Sequence, residues 1–168
     1  MRTDCLLGGE PVLISTGVAS TEREYDEQGN KTVEAYFGTK NEPVKSTSGY
    51  ARIEKTYLDK DHVTSEAWFD EAGQPTAPKD TYCRVEREFD EKKNATAERY
   101  YGADGRRIAC KAGYDEVRWQ YNKKNRPERT EYLLAGEAVL NSTGYAAVVR
   151  EYDENGNTKI ESYYGTDY

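Results

Sequence analysis

Across 168 residues, Leu, Ile, Val and Phe number only 7, 4, 10 and 3, about 14% of the chain, which ordinarily signals disorder. Fifteen tyrosines and two tryptophans, set at fixed intervals, exclude that and supply large amphipathic surfaces for a thin, aromatic-packed fold. The net charge of -7, spread over 33% charged residues of both signs, leaves no basic stripe for nucleic acid, and no run approaches the roughly 20 apolar residues of a membrane span.

The chain opens partway into a pattern. Leu6-Leu7-Gly8-Gly9-Glu10 matches Leu133-Leu134-Ala135-Gly136-Glu137, so it predicts the end of a strand and a turn. The start MRTDCLLGGEPVLIS lacks the cleavage pattern of a signal peptide. From there an aromatic residue before a turn recurs at Tyr25, Tyr57, Phe89, Tyr121 and Tyr152, with spacings of 32, 32, 32 and 31 by subtraction. An aromatic-led pair after the turn follows at Tyr36-Phe37, Trp68-Phe69, Tyr100-Tyr101, Tyr132-Leu133 and Tyr163-Tyr164. Such a period means an array whose units are too small to bury their own faces. No segment holds helical spacing. The expectation is an all-β, elongated, solenoid-like array of about five β-hairpin repeats of 31–32 residues. Its approximate units are 1–17 (partial), 18–49, 50–81, 82–113, 114–144 and 145–168. Both ends, including the stop at Gly165-Thr166-Asp167-Tyr168, look cut from a longer array. Unprotected terminal strands predict edge-to-edge self-association.

The cleanest copy is Arg150–Tyr164, REYDENGNTKIESYY, in which Asn155-Gly156 sits between two alternating runs, the strongest short hairpin signal. Taking those two residues as the loop, facing positions sum to 311. That sets Arg150 opposite Glu161 and Val148 opposite Tyr163, and by the same count Arg23 opposite Glu34, Lys55 opposite Glu66 and Arg87 opposite Glu98. In the fourth hairpin both partners change together, to Trp119 and Thr130, as a cross-strand ion pair worth about 0.2–1 kcal/mol predicts. A three-residue turn with a glycine bulge is the alternative. The second loop position is Gly29, Asp61, Lys93, Asn125 and Gly156; Lys93 is the misfit for a positive φ. Parity puts Ala19, Ala51, Cys83, Asp115 and Ala146 on one face, followed by Thr21, Ile53, Val85, Val117 and Val148.

Residues with chemical potential fit the same pattern. Cys5, Cys83 and Cys110 are odd in number, have no metal-ligand spacing, and are expected to be free thiols. His62 is expected as a loop residue without a nucleophile beside it. The glutamate column recurs once per unit beside a basic column, which is structural behaviour rather than a tuned acid and base. Asp153-Glu154-Asn155-Gly156-Asn157 lacks the spaced ligands of a calcium loop. The sequons at Asn30, Asn94 and Asn141 arise largely from turn sequence. The expectation is a chain without catalytic residues, metal or cofactor.

The hairpins REYDENGNTKIESYY and REYDEQGNKTVEAYF resemble the YD repeat of the RHS family and the variant MORN repeat. AWFDEAGQP, RYYGADGRR and AYFGTKNEP, each followed by a further hairpin start, look like the aromatic-pair and glycine pattern of cell-wall-binding or choline-binding repeats. The resemblance covers nearly the whole chain. It implies β-hairpin arrays of bacterial surface or secreted proteins, hence an extracellular or cell-surface location as a fragment of a longer chain, and, for the last group, binding of cell-wall polymers or sugars.

The inward aromatic of each pair must serve as core. Its neighbours Phe37, Phe69, Tyr101, Leu133 and Tyr164 are expected on the side of Tyr50, Tyr82, Tyr114 and Tyr145, as a second packing layer or as an exposed platform for sugar rings or quaternary ammonium groups. The candidate ligand-binding residues are therefore Tyr50, Phe69, Tyr82, Tyr101, Tyr114, Tyr145 and Tyr164. Three functions follow: a non-catalytic spacer and adhesive module, a carbohydrate or cell-wall-polymer binder using aromatics between repeats, or a shell segment of a larger toxin or enzyme.

Overall fold

The computed structural model describes residues 1–78 and 80–167; the expected units 50–81 and 145–168 include Lys79 and Tyr168, which lie outside the described residues. The elements are all strands: β1 (Arg2–Asp4), β2 (Leu6–Leu7), β3 (Glu10–Pro11), β4 (Ser20–Tyr25), β5 (Lys31–Phe37), β6 (Arg52–Tyr57), β7 (Val63–Phe69), β8 (Arg84–Phe89), β9 (Ala95–Tyr101), β10 (Glu116–Tyr121), β11 (Pro127–Leu134), β12 (Glu137–Ala138), β13 (Ala147–Tyr152) and β14 (Thr158–Tyr164). Twelve of them form one largely antiparallel sheet that is not closed into a barrel, and β2 and β3 form a second, two-stranded sheet.

Residues 1–85 with 102–104 make one compact unit, and 86–101 with 105–168 a second. In the first, the strand order is β1-β4-β5-β6-β7; in the second it is β9-β10-β11-β13-β14, with β12 on β11. Apart from β1–β4 and β11–β13, which pass over β2–β3 and β12, both advance by antiparallel pairs of strands consecutive in sequence, the pairing that short turns permit.

The strand bodies adopt the expected register. Arg150 pairs with Glu161 and Val148 with Tyr163, Arg23 with Glu34, Lys55 with Glu66 and Trp119 with Thr130. The two-residue loop behind that arithmetic is corrected. Gly156 N–H donates to Asp153 C=O at 3.1 Å, and Asp153 N–H to Asn157 C=O at 2.9 Å, so three residues form the loop, ending on Gly156 at φ 92°. A bulge follows: Tyr152 faces Thr158 while Glu151 faces Ile160. The longer turn moves the sum of facing positions down by one and the bulge restores it, so two departures from the simple hairpin cancel. The same shift occurs at Glu24/Tyr25, Thr56/Tyr57 and Gln120/Tyr121.

The acidic residue after the turn aromatic organises that loop. Asp153 Oδ1 accepts from Asn157 N–H and Oδ2 from the Asn157 amide; Asp26 and Asn30 and Asp90 and Asn94 repeat it, and Asn122 caps its loop through Oδ1 alone. These bonds hold the Asp26, Asp90 and Asp153 carboxyls below their ordinary range, the Asn side-chain amide being the largest cause. Two sequon asparagines and the calcium-like run are thus turn machinery. Lys93 accepts the left-handed conformation, φ 67°. Asp61 is absent from the positive-φ residues; its hairpin carries Leu58 where the others carry Asp or Asn, and Asp59 accepts from Asp61 N–H and pairs with His62 Nδ1.

The small and β-branched columns form the core: Ala19, Ala51, Cys83 and Ala146, then Ile53, Val85, Val117 and Val148, are all buried. A fully buried valine contributes about 1.5–3 kcal/mol. Neighbouring hairpins are stitched by two recurring bonds. The backbone N–H of Tyr36, Trp68, Tyr100 and Tyr132 donates to the carbonyl of Ala51, Cys83, Asp115 and Ala146 respectively. The phenols of Tyr57, Tyr121 and Tyr152 donate to the carbonyls of Lys31, Ala95 and Pro127 at 2.8, 2.9 and 2.7 Å.

Candidate functional site

The sequence-selected aromatics fall into two groups. Tyr50 lies 5.8 Å from Tyr36 and Tyr82 5.9 Å from Trp68, centroid to centroid. Tyr114 sits between Tyr100 at 6.0 Å and Tyr132 at 4.8 Å, and Tyr145 between Tyr132 at 5.8 Å and Tyr163 at 4.8 Å. These four tyrosines therefore interleave with the inward aromatics, rather than sharing the side of Phe69, Tyr101 and Tyr164 as parity predicts. The reason is local. Each of the Tyr50, Tyr114 and Tyr145 positions leaves a turn through a glycine at positive φ, Gly49, Gly113 or Gly144, and the strands begin only at Arg52, Glu116 and Ala147, so alternation does not extend back to the tyrosine.

The second group is handled differently. The Arg52 guanidinium lies 5.7 Å over the Phe69 ring and that of Arg2 5.8 Å over Phe37, cation–π contacts that occupy one ring face. Tyr101 is half-buried, and its phenol is held protonated by burial and by Glu86. Leu133 is buried, whereas Tyr164 is exposed.

An Arg–Glu–Tyr chain borders the interleaved rings. Arg23 Nε donates to Glu34 at 2.7 Å, and Tyr36 Oη to the same carboxylate at 3.1 Å. Arg87, Glu98 and Tyr100 repeat it at 2.6 and 2.5 Å, and Arg150, Glu161 and Tyr163 at 2.6 and 2.5 Å. Burial, followed by Tyr50 and then Glu34 for Tyr36 and by Glu98 for Tyr100, raises these two phenols well above their ordinary range; Tyr114, mainly through burial, is pushed up to about 12. At neutral pH these phenols keep their protons, and those of Tyr36 and Tyr100 donate to Glu34 and Glu98. His62 is half-buried, with Nδ1 2.6 Å from Asp59.

A cluster that the sequence reading did not foresee lies where the fourth hairpin begins. Asp115 and Glu116 are 3% and 1% exposed. Arg107 Nη2 bridges them at 2.6 and 2.7 Å. Glu116 also receives Arg99 at 3.0 Å and Arg118 at 2.8 Å, Arg99 reaches Glu88 at 2.5 Å, and Asp115 Oδ2 accepts from Ala135 N–H at 3.0 Å. Burial alone would push the Glu116 carboxyl up; the bonds from Arg118 and Arg107, with the charge of Arg99, outweigh it and leave it below the ordinary range. Both carboxylates are saturated, so the cluster is a polar core. A signal was present: Pro11, Pro43 and Pro75 each stand eight residues before Ala19, Ala51 and Cys83, and in the next copy both members change together, to Arg107 and Asp115.

Among the described residues no group of three or more His, Cys, Asp or Glu is placed to hold a metal, and Cys5, Cys83 and Cys110 are free thiols. No helix is long and apolar enough to cross a membrane. The fold and its side chains define an all-β protein of antiparallel hairpins joined by interleaved aromatics. Neither a protein-family model nor a curated protein matches the chain.

Proposed function

We propose that this chain is a non-catalytic array of about five β-hairpin repeats, acting as a spacer and adhesive module of a bacterial surface or secreted protein. The observation that carries this is the fate of the recurring polar groups. Loop aspartates cap their own turns, glutamates are saturated by Arg and Tyr of the same hairpin, and turn tyrosines bond to the preceding hairpin. What repeats is devoted to propagating the sheet, and the surface offered to a partner consists of many similar weak sites. Adhesion then depends on valency. Chains clustered on beads should bind glycan- or protein-coated surfaces at least about 100-fold more tightly than single chains; no gain on clustering would overturn the proposal.

A carbohydrate-binding reading is favoured by one place. Trp68, Pro78, Asp80 and Tyr82 line a cleft of about 40 Å³, where two rings and a carboxylate converge as sugar recognition requires. That volume holds a few waters rather than a pyranose, so a sugar would rest on the rim. Glycan-array binding by single chains, lost in Asp80→Asn and in Tyr82→Ala, would establish this reading in place of the first.

A further inference from the structure

Four of the hairpin turns share one plan and differ in charge. Asp26–Asn30 and Asp153–Asn157 each carry two acids and no base, and Asp90–Asn94 balances two acids with two lysines. Asn122–Arg126 carries Lys123, Lys124 and Arg126 and no acid, a local reversal in a chain of net charge -7. No carboxylate of the protein neutralises these cations. Arg23, Arg87, Arg99 and Arg150 are each in an ion pair, whereas among the described residues Lys123, Lys124 and Arg126 make none. The Arg126 guanidinium instead lies 5.6 Å over the Tyr152 ring and against Gly156, where a Cβ would come within 1.8 Å of Nη2. Tyr152 is itself fixed, its Oη donating to Pro127 C=O at 2.7 Å, and Asn122 Oδ1 accepts from the N–H groups of Lys124 and Arg126. The charge is therefore held in position before any ligand arrives.

The cleft between this turn and the next, about 410 Å³, is lined by Lys123, Lys124, Arg126 and Tyr152, and also by Glu128 and Glu151. Arg150 and Asp153 border it but are occupied by Glu161 and Asn157. Its strands, β11 and β13, are paired on both sides. The preceding cleft, about 270 Å³ with Tyr121 in place of Tyr152, presents Asp90, Glu91 and Lys92 instead. The two clefts are alike in plan, and only one has an excess of positive charge.

We infer that the cleft between the fourth and fifth turns binds a sugar unit carrying a sulfate or phosphate group. The oxyanion takes the guanidinium edge of Arg126 and the ammonium groups of Lys123 and Lys124. Glu128 and Glu151, whose side chains accept no hydrogen bond among the described residues, accept from the sugar hydroxyls. The volume suits a small ligand and exceeds what a bare ion fills. The same two carboxylates repel a dense polyanion such as nucleic acid. The inference stands on fixed charges in one cleft, so it is independent of valency-dependent adhesion.

The test is an NMR titration of the isotope-labelled whole chain at low ionic strength with glucose-6-sulfate, glucose-6-phosphate, glucose and inorganic sulfate. Both esters should shift the amides of residues 122–126 and 150–153, with a Kd of about 0.1–10 mM, and the tighter ester identifies the group preferred. Glucose should shift none of them, and inorganic sulfate should bind at least about fivefold more weakly. Arg126→Gln should weaken the esters about tenfold and the double change Lys123→Gln with Lys124→Gln about threefold, while Lys92→Gln in the preceding cleft leaves them unchanged. Glu128→Gln with Glu151→Gln should weaken the esters yet strengthen inorganic sulfate, opposite signs that a damaged fold would not produce. No shift of these amides up to about 50 mM ester, equal binding of glucose, inorganic sulfate as tight as the esters, or full binding by Arg126→Gln would each overturn the inference.

Discussion

The fourth and fifth hairpins share one backbone plan and solve its interior differently. Where the fifth buries Ala146 and Ala147 completely, the fourth buries Asp115 and Glu116, and the residue eight positions earlier changes from Ala138 to Arg107. The fifth keeps the Arg150–Glu161 pair across its strands; the fourth replaces it with Trp119 and Thr130. The polar pair thus moves from the hairpin's cross-strand position to its entrance. Ionic groups can occupy the entrance because four arginine contacts and a backbone N–H satisfy them, whereas the alanine version needs no partners and tolerates no charge.

Breaking the polar core should have the largest effect. Asp115→Ala alone strands part of the Arg107 charge and should cost about 3–5 kcal/mol in urea denaturation, whereas Arg107→Pro with Asp115→Ala, restoring the Pro43/Ala51 arrangement, should recover part of that loss, Glu116 losing Arg107 but keeping Arg99 and Arg118. If the double variant is no better than the single, the two positions are not an exchangeable pair. Acid sharpens the same contrast. The folded-state pKa of Glu116 is depressed, so its contribution is fully present above the unfolded value of about 4.3 and is lost as pH falls through the lower folded value. Amide exchange measured from pH 5 to 2.5 should show the fourth-hairpin entrance opening before the alanine-lined entrance of the fifth.

Smaller effects should be shared or should separate the two hairpins. Tyr121→Phe and Tyr152→Phe remove the same phenol-to-carbonyl bond and should each cost about 1 kcal/mol; markedly unequal values would show that the polar core reaches the next junction. A double-mutant cycle on Arg150 and Glu161 should give a coupling of about 0.2–1 kcal/mol, and one on Trp119 and Thr130 a coupling without the salt dependence of an ion pair.

The hairpins, their order and the pairing of basic and acidic columns were legible because alternation and turn glycines are local. Register was legible despite a wrong loop, since the bulge offsets the longer turn. The side chosen by Tyr50, Tyr114 and Tyr145 was not, because parity counting ends at a left-handed glycine. The Arg107–Asp115–Glu116 cluster was hidden for a different reason: its partners come from the second strand of one hairpin, the turn after it and the first strand of the next. A per-strand pattern cannot register a charge balance among three segments.

The short reach of every pairing bears on how the chain is made. Arg23 meets Glu34 eleven residues later, and Val33 meets Glu54 across 21 by subtraction, so loop closure is inexpensive at each step. Such low contact order favours fast folding for an all-β chain. A nascent chain emerging from the ribosome has each strand's partner in hand within about one to four seconds at typical elongation rates, which leaves unpaired edges little time to find a neighbouring molecule.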